Sequence, residues 1–278
     1  MATVKPRIAF LFSGEVRSNR FNPSYNEDNL VLDNWSENLF NSELSENYDY
    51  DIFISTNNLD TKSVNEYFTE RNGIVQNIHC LDTNFYMNTP AIRTQSFDIL
   101  AQRFNYINKN GYYISNGNLW QVYRMYDVFT LYNDYIQKTG TKYDILVRCR
   151  LDTLYNKSLL PLFKELLETP KCQVIALSDQ FMCGRPEPMS ELFRVFITDY
   201  FQMPFTTRPD SWDYFILSAN DYYDSTKTPA FGWYFAPEKQ FSECLFRWCD
   251  KNNLQYREAL KGYPCSDYVR IYKRHLFA

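Results

Sequence analysis

The 278-residue sequence predicts an α/β fold, a three-layer α/β/α sandwich around a mostly parallel central sheet. Three observations predict it. Short apolar runs alternate with longer segments of helical periodicity between Arg7 and Asp179, the pattern of strands joined by crossover helices. The runs stay apolar until their last residues, as strands buried on both faces do. A hydrophobic content of 45% with 22% charge supports a large core rather than a disordered chain.

Arg7-Ile8-Ala9-Phe10-Leu11-Phe12 is expected as a buried strand, and Ser13 to Ser18 as the loop that leaves it. That loop holds one glycine, Gly14, so the G-x-G-x-x-G fingerprint of dinucleotide sites is absent. Leu30, Leu32, Trp35, Leu39 and Phe40 recur at helical spacing across 29–44. Asp51-Ile52-Phe53-Ile54-Ser55-Thr56 follows as a second strand, 66–71 as a short helix, and 74–81 as a third strand. Helical patterns cover 94–107 and, more strongly, 118–137, where Leu119, Val122, Tyr123, Tyr126, Phe129 and Leu131 suggest a long helix packed on the sheet. A charged strand at 144–152, a helix at 159–168, a strand at 174–177 and a helix at 187–201 come next. The segment 202–237 is rich in Pro, Asp and Tyr and has no clear period; 238–252 is an amphipathic helix, and the tail from 259 is basic and aromatic. No repeat or linker interrupts the chain, so one domain over 1–278 is the economical expectation, with 1–155 and 156–278 as its halves.

Composition removes several functional classes. A net charge of −4 disfavours a general nucleic-acid or anionic-membrane surface, so any anion site must be a local arginine cluster. No apolar run approaches the roughly 18 residues of a membrane span. Met1 to Arg7 has no apolar signal core, and seven cysteines without paired spacing suit a reducing compartment, so a cytoplasmic protein is expected. His79 and His275 are too few for a zinc site of the usual kind. The 23 Tyr and 22 Phe point first to core packing, and secondarily to stacking on bases or sugars.

The most informative stretch is Tyr143-Asp144-Ile145-Leu146-Val147-Arg148-Cys149-Arg150-Leu151-Asp152. Period-2 geometry sends Arg148, Arg150 and Asp152 to one side and Cys149 to the other. Ligands of open α/β sheets bind beyond the carboxyl ends of the strands. Charges brought there must pair or meet a ligand. Arg148 and Arg150 therefore either contact an anion or pair internally with Asp144 or Asp152. The literal Asp49-Tyr50-Asp51 precedes the second strand, at the opposite end, and is expected to be a solvated strand start.

Taken in order, these pieces resemble a nucleotide-sugar-dependent glycosyltransferase of the GT-A type, of the kind found in large, chlorella-type viruses and bacteria. The likeness is carried by Ile8 to Arg17, Asp51 to Thr56, Trp120-Gln121-Val122-Tyr123-Arg124-Met125-Tyr126, Tyr143 to Asp152, Ser178 to Gly184, and Pro237-Glu238-Lys239-Gln240-Phe241. It implies metal-assisted transfer of a hexosyl or pentosyl unit from a nucleoside diphosphate sugar, UDP-linked by family habit, to a glycan hydroxyl. In the family an Asp-x-Asp at a strand end holds Mn2+ or Mg2+ on the donor diphosphate; here the matching tripeptide is Arg150-Leu151-Asp152, with one carboxylate. The resemblance makes Asp152 a metal ligand, with His275 as a C-terminal one.

The remaining roles follow from that expectation. Ser13, Gly14 and Arg17 would line the nucleotide, and Gln121 and Arg124, three apart on one helix face, would reach the base, ribose or phosphate. Arg148 and Arg150 would share the diphosphate charge. Inverting transfer needs a carboxylate to take the acceptor proton; Asp179 ranks ahead of Glu238, with Asp210 and Asp213 also open. Trp212 and Trp233 could form an acceptor platform. The rivals are a non-catalytic carbohydrate- or nucleotide-binding protein and, third, a nucleotidyltransferase.

Overall fold

Ile8 to Phe12 have no exposed surface, and this run forms the middle of the central strand β1 (Arg7–Gly14). The structure, a computed structural model, describes residues 4–14, 30–56, 66–67, 78–82, 116–169, 172–177, 181–201, 255–258 and 269–271. After β1 come helices α1 (Leu30–Asn38) and α2 (Ser42–Asn47), then strands β2 (Asp49–Thr56) and β3 (Ile78–Asp82). The long helix α3 (Asn116–Thr139) leads into β4 (Ile145–Arg150) and β5 (Thr153–Tyr155). Helix α4 (Leu160–Glu168), strands β6 (Cys172–Leu177) and β7 (Phe181–Gly184), and helix α5 (Pro186–Phe201) follow, with β8 (Gln255–Glu258) and β9 (Val269–Ile271) near the end.

The main sheet has the order β3-β2-β1-β4-β7-β6-β8. β3, β2, β1 and β4 are mutually parallel. β7 is antiparallel to both β4 and β6, which makes β6 parallel to β4, and β8 is parallel to β6. The expected mostly parallel sheet is thus observed, with β7 as its one reversed member among the described strands. β5 and β9 form a separate antiparallel pair.

Period 2 divides the core into two faces. On one, Phe10 and Phe12 meet Trp35, Phe40, Tyr50 and Phe163, with Phe12 and Trp35 centroids 5.1 Å apart. On the other, Phe53 packs edge-on against Tyr132 and Tyr135 of α3, and Phe129 stacks on Phe193 of α5 at 5.1 Å. α1 and α4 therefore cover one face and α3 and α5 the other, the three layers expected. Much of the aromatic surplus is spent here.

Several boundaries moved for local reasons. The helix expected across 29–44 breaks at Asn41, whose Oδ1 accepts from the Leu44 amide at 3.0 Å and caps α2 separately. α3 stops where Gly140 takes φ +68° and its amide reaches the Ile136 carbonyl at 2.9 Å. β1 runs two residues beyond Phe12, so Ser13 and Gly14 belong to the strand rather than to the loop. Only Glu66 and Tyr67 of the helix at 66–71 are described, both helical. The helices expected at 94–107 and 238–252, and the segment 202–237, lie outside the described residues. No helix among the described residues is long and apolar enough to cross a membrane.

Asp51 is a correction. It is fully buried inside β2, and Arg7 meets its Oδ2 from Nη2 at 2.8 Å and Nε at 3.0 Å. The Tyr143 hydroxyl donates to the same oxygen at 2.6 Å. A solvated strand start is replaced by a buried carboxylate, held because three distant segments meet at that edge. Its place at the amino ends of the strands, away from Asp152, is as expected.

Candidate functional site at the carboxyl edge of the sheet

Buried polar side chains gather toward the carboxyl ends of the strands. Ser13, Ser55, Thr56, Arg148, Asp152, Thr153 and Asp127 of α3 are all buried; of the other buried polar residues described, only Asp51 remains, at the far edge. Register explains the convergence. Ser13 lies between Ser55 of β2 and Arg150 of β4, and Gly14 lies beside Thr56. The Leu151 amide donates to the Ser13 carbonyl at 3.2 Å, tying the turn after β4 to the end of β1. Gly14 has φ +128°, which glycine tolerates and other residues rarely do.

Arg150 and Asp152 form a bidentate pair. Nε donates to Oδ1 and Nη2 to Oδ2, each at 2.9 Å. Their side chains are 19% and 7% exposed, so the pair lies just beneath the rim. The internal-partner alternative for Arg150 is the one found. Arg148 is one step deeper, between Leu11 and Met182 in register, and has no exposed surface. Cys149 points into the opposite core as expected, and burial pushes its thiol up to about 12. Such a thiol is an inert filler.

Helix α3 crosses above this edge. Its Tyr132 and Tyr135 pack on Phe53, whereas Asp127 reaches Ser55, two residues further along β2. The helix therefore runs opposite to β2, and Arg124, then Gln121, lie progressively beyond the strand ends, roughly 4.5 Å per three residues. The Ser55 hydroxyl donates to Asp127 Oδ2 at 2.7 Å. Desolvation raises the Asp127 carboxyl to about 6, opposed by the Ser55 hydrogen bond and by Arg124. Asp127 was missed in the sequence. The signal was there: it stands three residues after Arg124 and so is its neighbour on the helix surface.

The segment after Asp152 is clamped by α1. Asn34 accepts from the Tyr155 amide at 2.6 Å and donates to its carbonyl at 2.8 Å, and Trp35 Nε1 donates to the Thr153 carbonyl at 2.7 Å. Thr153 pairs with Ile271, bringing the backbone of the C-terminal segment beside the Asp152 turn, four residues before His275. Of the expected site residues, the structure brings together Ser13, Gly14, Arg148, Arg150 and Asp152, with Gln121 and Arg124 above them. Arg17, Asp179, Glu238 and His275 lie outside the described residues, as do Asp210, Asp213, Trp212 and Trp233. β6, which precedes Asp179, is parallel to β4 and so ends at the same edge as Asp152.

A divalent metal fits this donor set poorly. One carboxylate is present on the turn, and both its oxygens are already held by Arg150. Among the described residues no group of three or more His, Cys, Asp or Glu side chains could hold a metal ion. What the edge does offer, among the described residues, is guanidinium charge. Among the described residues Arg150 holds Asp152 and Arg124 acts on Asp127, beside backbone that can approach a ligand at Gly14.

No protein-family model matches the chain, and no curated protein matches it. Among solved structures it is similar to the nucleoside-diphosphate-sugar pyrophosphorylase of Vibrio cholerae RC9, at 14% identity and TM-score 0.43 over 90% of each chain. It is also similar to mouse xyloside xylosyltransferase 1, at 9% identity and TM-score 0.43 over 91% of this chain and 84% of that one. A mannosyltransferase of Pyrobaculum calidifontis, solved with GDP-Man and Mn2+, is similar at 10% identity and TM-score 0.38, over 87% of this chain and 70% of that one. At these values the likenesses assign neither an activity nor a residue's role to this chain.

Proposed function

We propose that this chain is a single-domain glycosyltransferase that moves a sugar from a nucleoside diphosphate to a glycan hydroxyl. The observation that carries the reading is the convergence of Ser13-Gly14, Arg150-Leu151-Asp152 and the face of α3 bearing Gln121 and Arg124 at one edge of a mostly parallel sheet. That edge is where such sheets bind ligands, and guanidinium groups such as those of Arg124 and Arg150 suit a diphosphate. Ser13, Gly14 and Arg17 line the nucleotide, and Gln121 and Arg124 reach it from above. UDP as the carrier follows the family resemblance.

The proposed transfer is inverting. The acceptor hydroxyl oxygen attacks the anomeric carbon, and the bond from that carbon to the diphosphate oxygen breaks. The hydroxyl proton passes to Asp179, with Glu238 as the alternative base. The departing diphosphate carries the electron pair, and its charge is met by the arginines of the rim.

A thermal-shift panel of nucleotide sugars, with and without Mn2+, tests the donor. Stabilisation by one nucleotide sugar supports the reading; no shift with any nucleotide overturns it. A non-catalytic binding protein is the second reading, favoured by the engagement of Asp152 with Arg150. Release of free nucleoside diphosphate over many turnovers, lost in Asp179→Ala and Glu238→Ala together, separates the two.

A further inference from the structure

The Arg150–Asp152 pair has a consequence for the metal expected in such enzymes. A divalent cation needs the very oxygens that Arg150 holds, and Mg2+ demands them at roughly 2.0–2.1 Å. A guanidinium docked fork to fork takes one in-plane lone pair on each carboxylate oxygen and fixes a positive charge beside it. Ion and arginine therefore compete for one anion. The competition is unequal, because the two residues are two apart in the chain and arrive in register without a loop to close. The pair is also nearly dry, at 19% and 7% exposure. A metal that displaced the guanidinium would strip a mostly buried cation of its bidentate partner, the costly way to break such a pair.

We infer that Arg150 stands where the divalent cation would stand, so that Asp152 holds a guanidinium and does not ligate a metal. The anionic ligand then meets a positive charge that is part of the chain. This deepens the donor-site reading and rests on it for the diphosphate alone.

The test uses the full-length protein and Mn2+ as its probe, followed by the free-ion electron paramagnetic resonance signal with no nucleotide present. The wild type is expected to leave the signal of sub-millimolar Mn2+ unchanged. Arg150→Asp, which creates Asp-Leu-Asp, is expected to bind one Mn2+ at least about tenfold more tightly, and adding Asp152→Asn is expected to abolish that gain. Stoichiometric Mn2+ uptake by the wild type, lost in Asp152→Asn, overturns the inference. Arg150→Ala, checked for folding by circular dichroism, serves if the aspartate variant does not fold; it too should gain affinity for Mn2+, and failure to gain any counts against the proposal. A second arm measures UDP binding by calorimetry. Affinity unchanged by EDTA and weakened about tenfold or more in Arg150→Gln supports the role, and EDTA-sensitive binding opposes it. Absence of UDP binding overturns the donor reading, while the Mn2+ titration still decides the place of Arg150.

Discussion

Ser55 and Asp127 are joined by a buried 2.7 Å hydrogen bond that fastens the end of β2 to the middle of α3. It sets the height at which the helix crosses the sheet, and so where Arg124 and Gln121 stand over the rim. The carboxylate is buried, and its desolvation makes the charged form costly.

That cost predicts a pH dependence. Desolvation raises the Asp127 carboxyl from 3.8 to about 6 in the folded chain, so the native state binds the proton more tightly than the unfolded one. The stabilisation from this site is complete below about pH 4 and is lost as pH rises through 6, a difference of about 3 kcal/mol at most. Asp127→Asn keeps an acceptor for Ser55 and removes the titration. Urea denaturation should show a flatter profile between pH 4 and 7 and a gain of about 1–3 kcal/mol at pH 7. Parallel wild-type and variant profiles would contradict this account.

Gly14 is required by its backbone rather than by crowding. A Cβ there would meet nothing closer than the Leu151 amide nitrogen at 3.7 Å, but φ is +128°. Gly14→Ala should therefore cost about 1–3 kcal/mol through strain alone. Because the turn is bonded to Leu151, the same variant should weaken nucleotide binding. A change in chemical denaturation midpoint of less than a few tenths of a kcal/mol would show that the left-handed backbone is not needed.

Asn34 bridges both backbone groups of Tyr155. Asn34→Ala leaves that amide and carbonyl to find other partners and should cost about 1–3 kcal/mol. The loss falls on the segment next to Asp152, so hydrogen exchange should quicken at 153–155 before it does in β1. Uniform exchange across both would argue that α1 does not hold the turn.

Asp51 should matter for folding and not for ligand. Asp51→Asn removes the ion pair with Arg7 and weakens the acceptor for Tyr143. Arg7 is 28% exposed and can turn to water, so a loss of about 2–3 kcal/mol is expected, below that of a fully buried pair. Nucleotide affinity of the folded fraction, measured by calorimetry, should be unchanged. A large drop would place a ligand at the amino edge.

Local features were well marked in the sequence. The apolar runs of β1, β2 and β4, the period of α3, and the opposed directions of Cys149 and Arg150 all follow from backbone geometry within a few residues. Short strands were not legible. Thr153–Tyr155 and Phe181–Gly184 are three and four residues long, too brief for a period to show, and they are strands only because partners lie beside them. The single helix expected across 29–44 failed for a related reason, since Asn41 can cap a helix or sit within one, and packing of Phe40 against Phe10 and Phe12 favours the break.

From the residues alone it was settled that Arg148 and Arg150 leave one strand on the same side, because side chains alternate along any extended chain; the strand ends at Arg150, and Asp152 stands in the turn that follows. Only tertiary structure decided what they do there. Arg150 closes on Asp152, Asp127 finds Ser55 from 72 residues away, and Asp51 is enclosed by Arg7 and Tyr143 from 44 and 92 residues away. Periodicity says which way a side chain points; the partner it meets, and whether water reaches the pair, depends on which strands become neighbours.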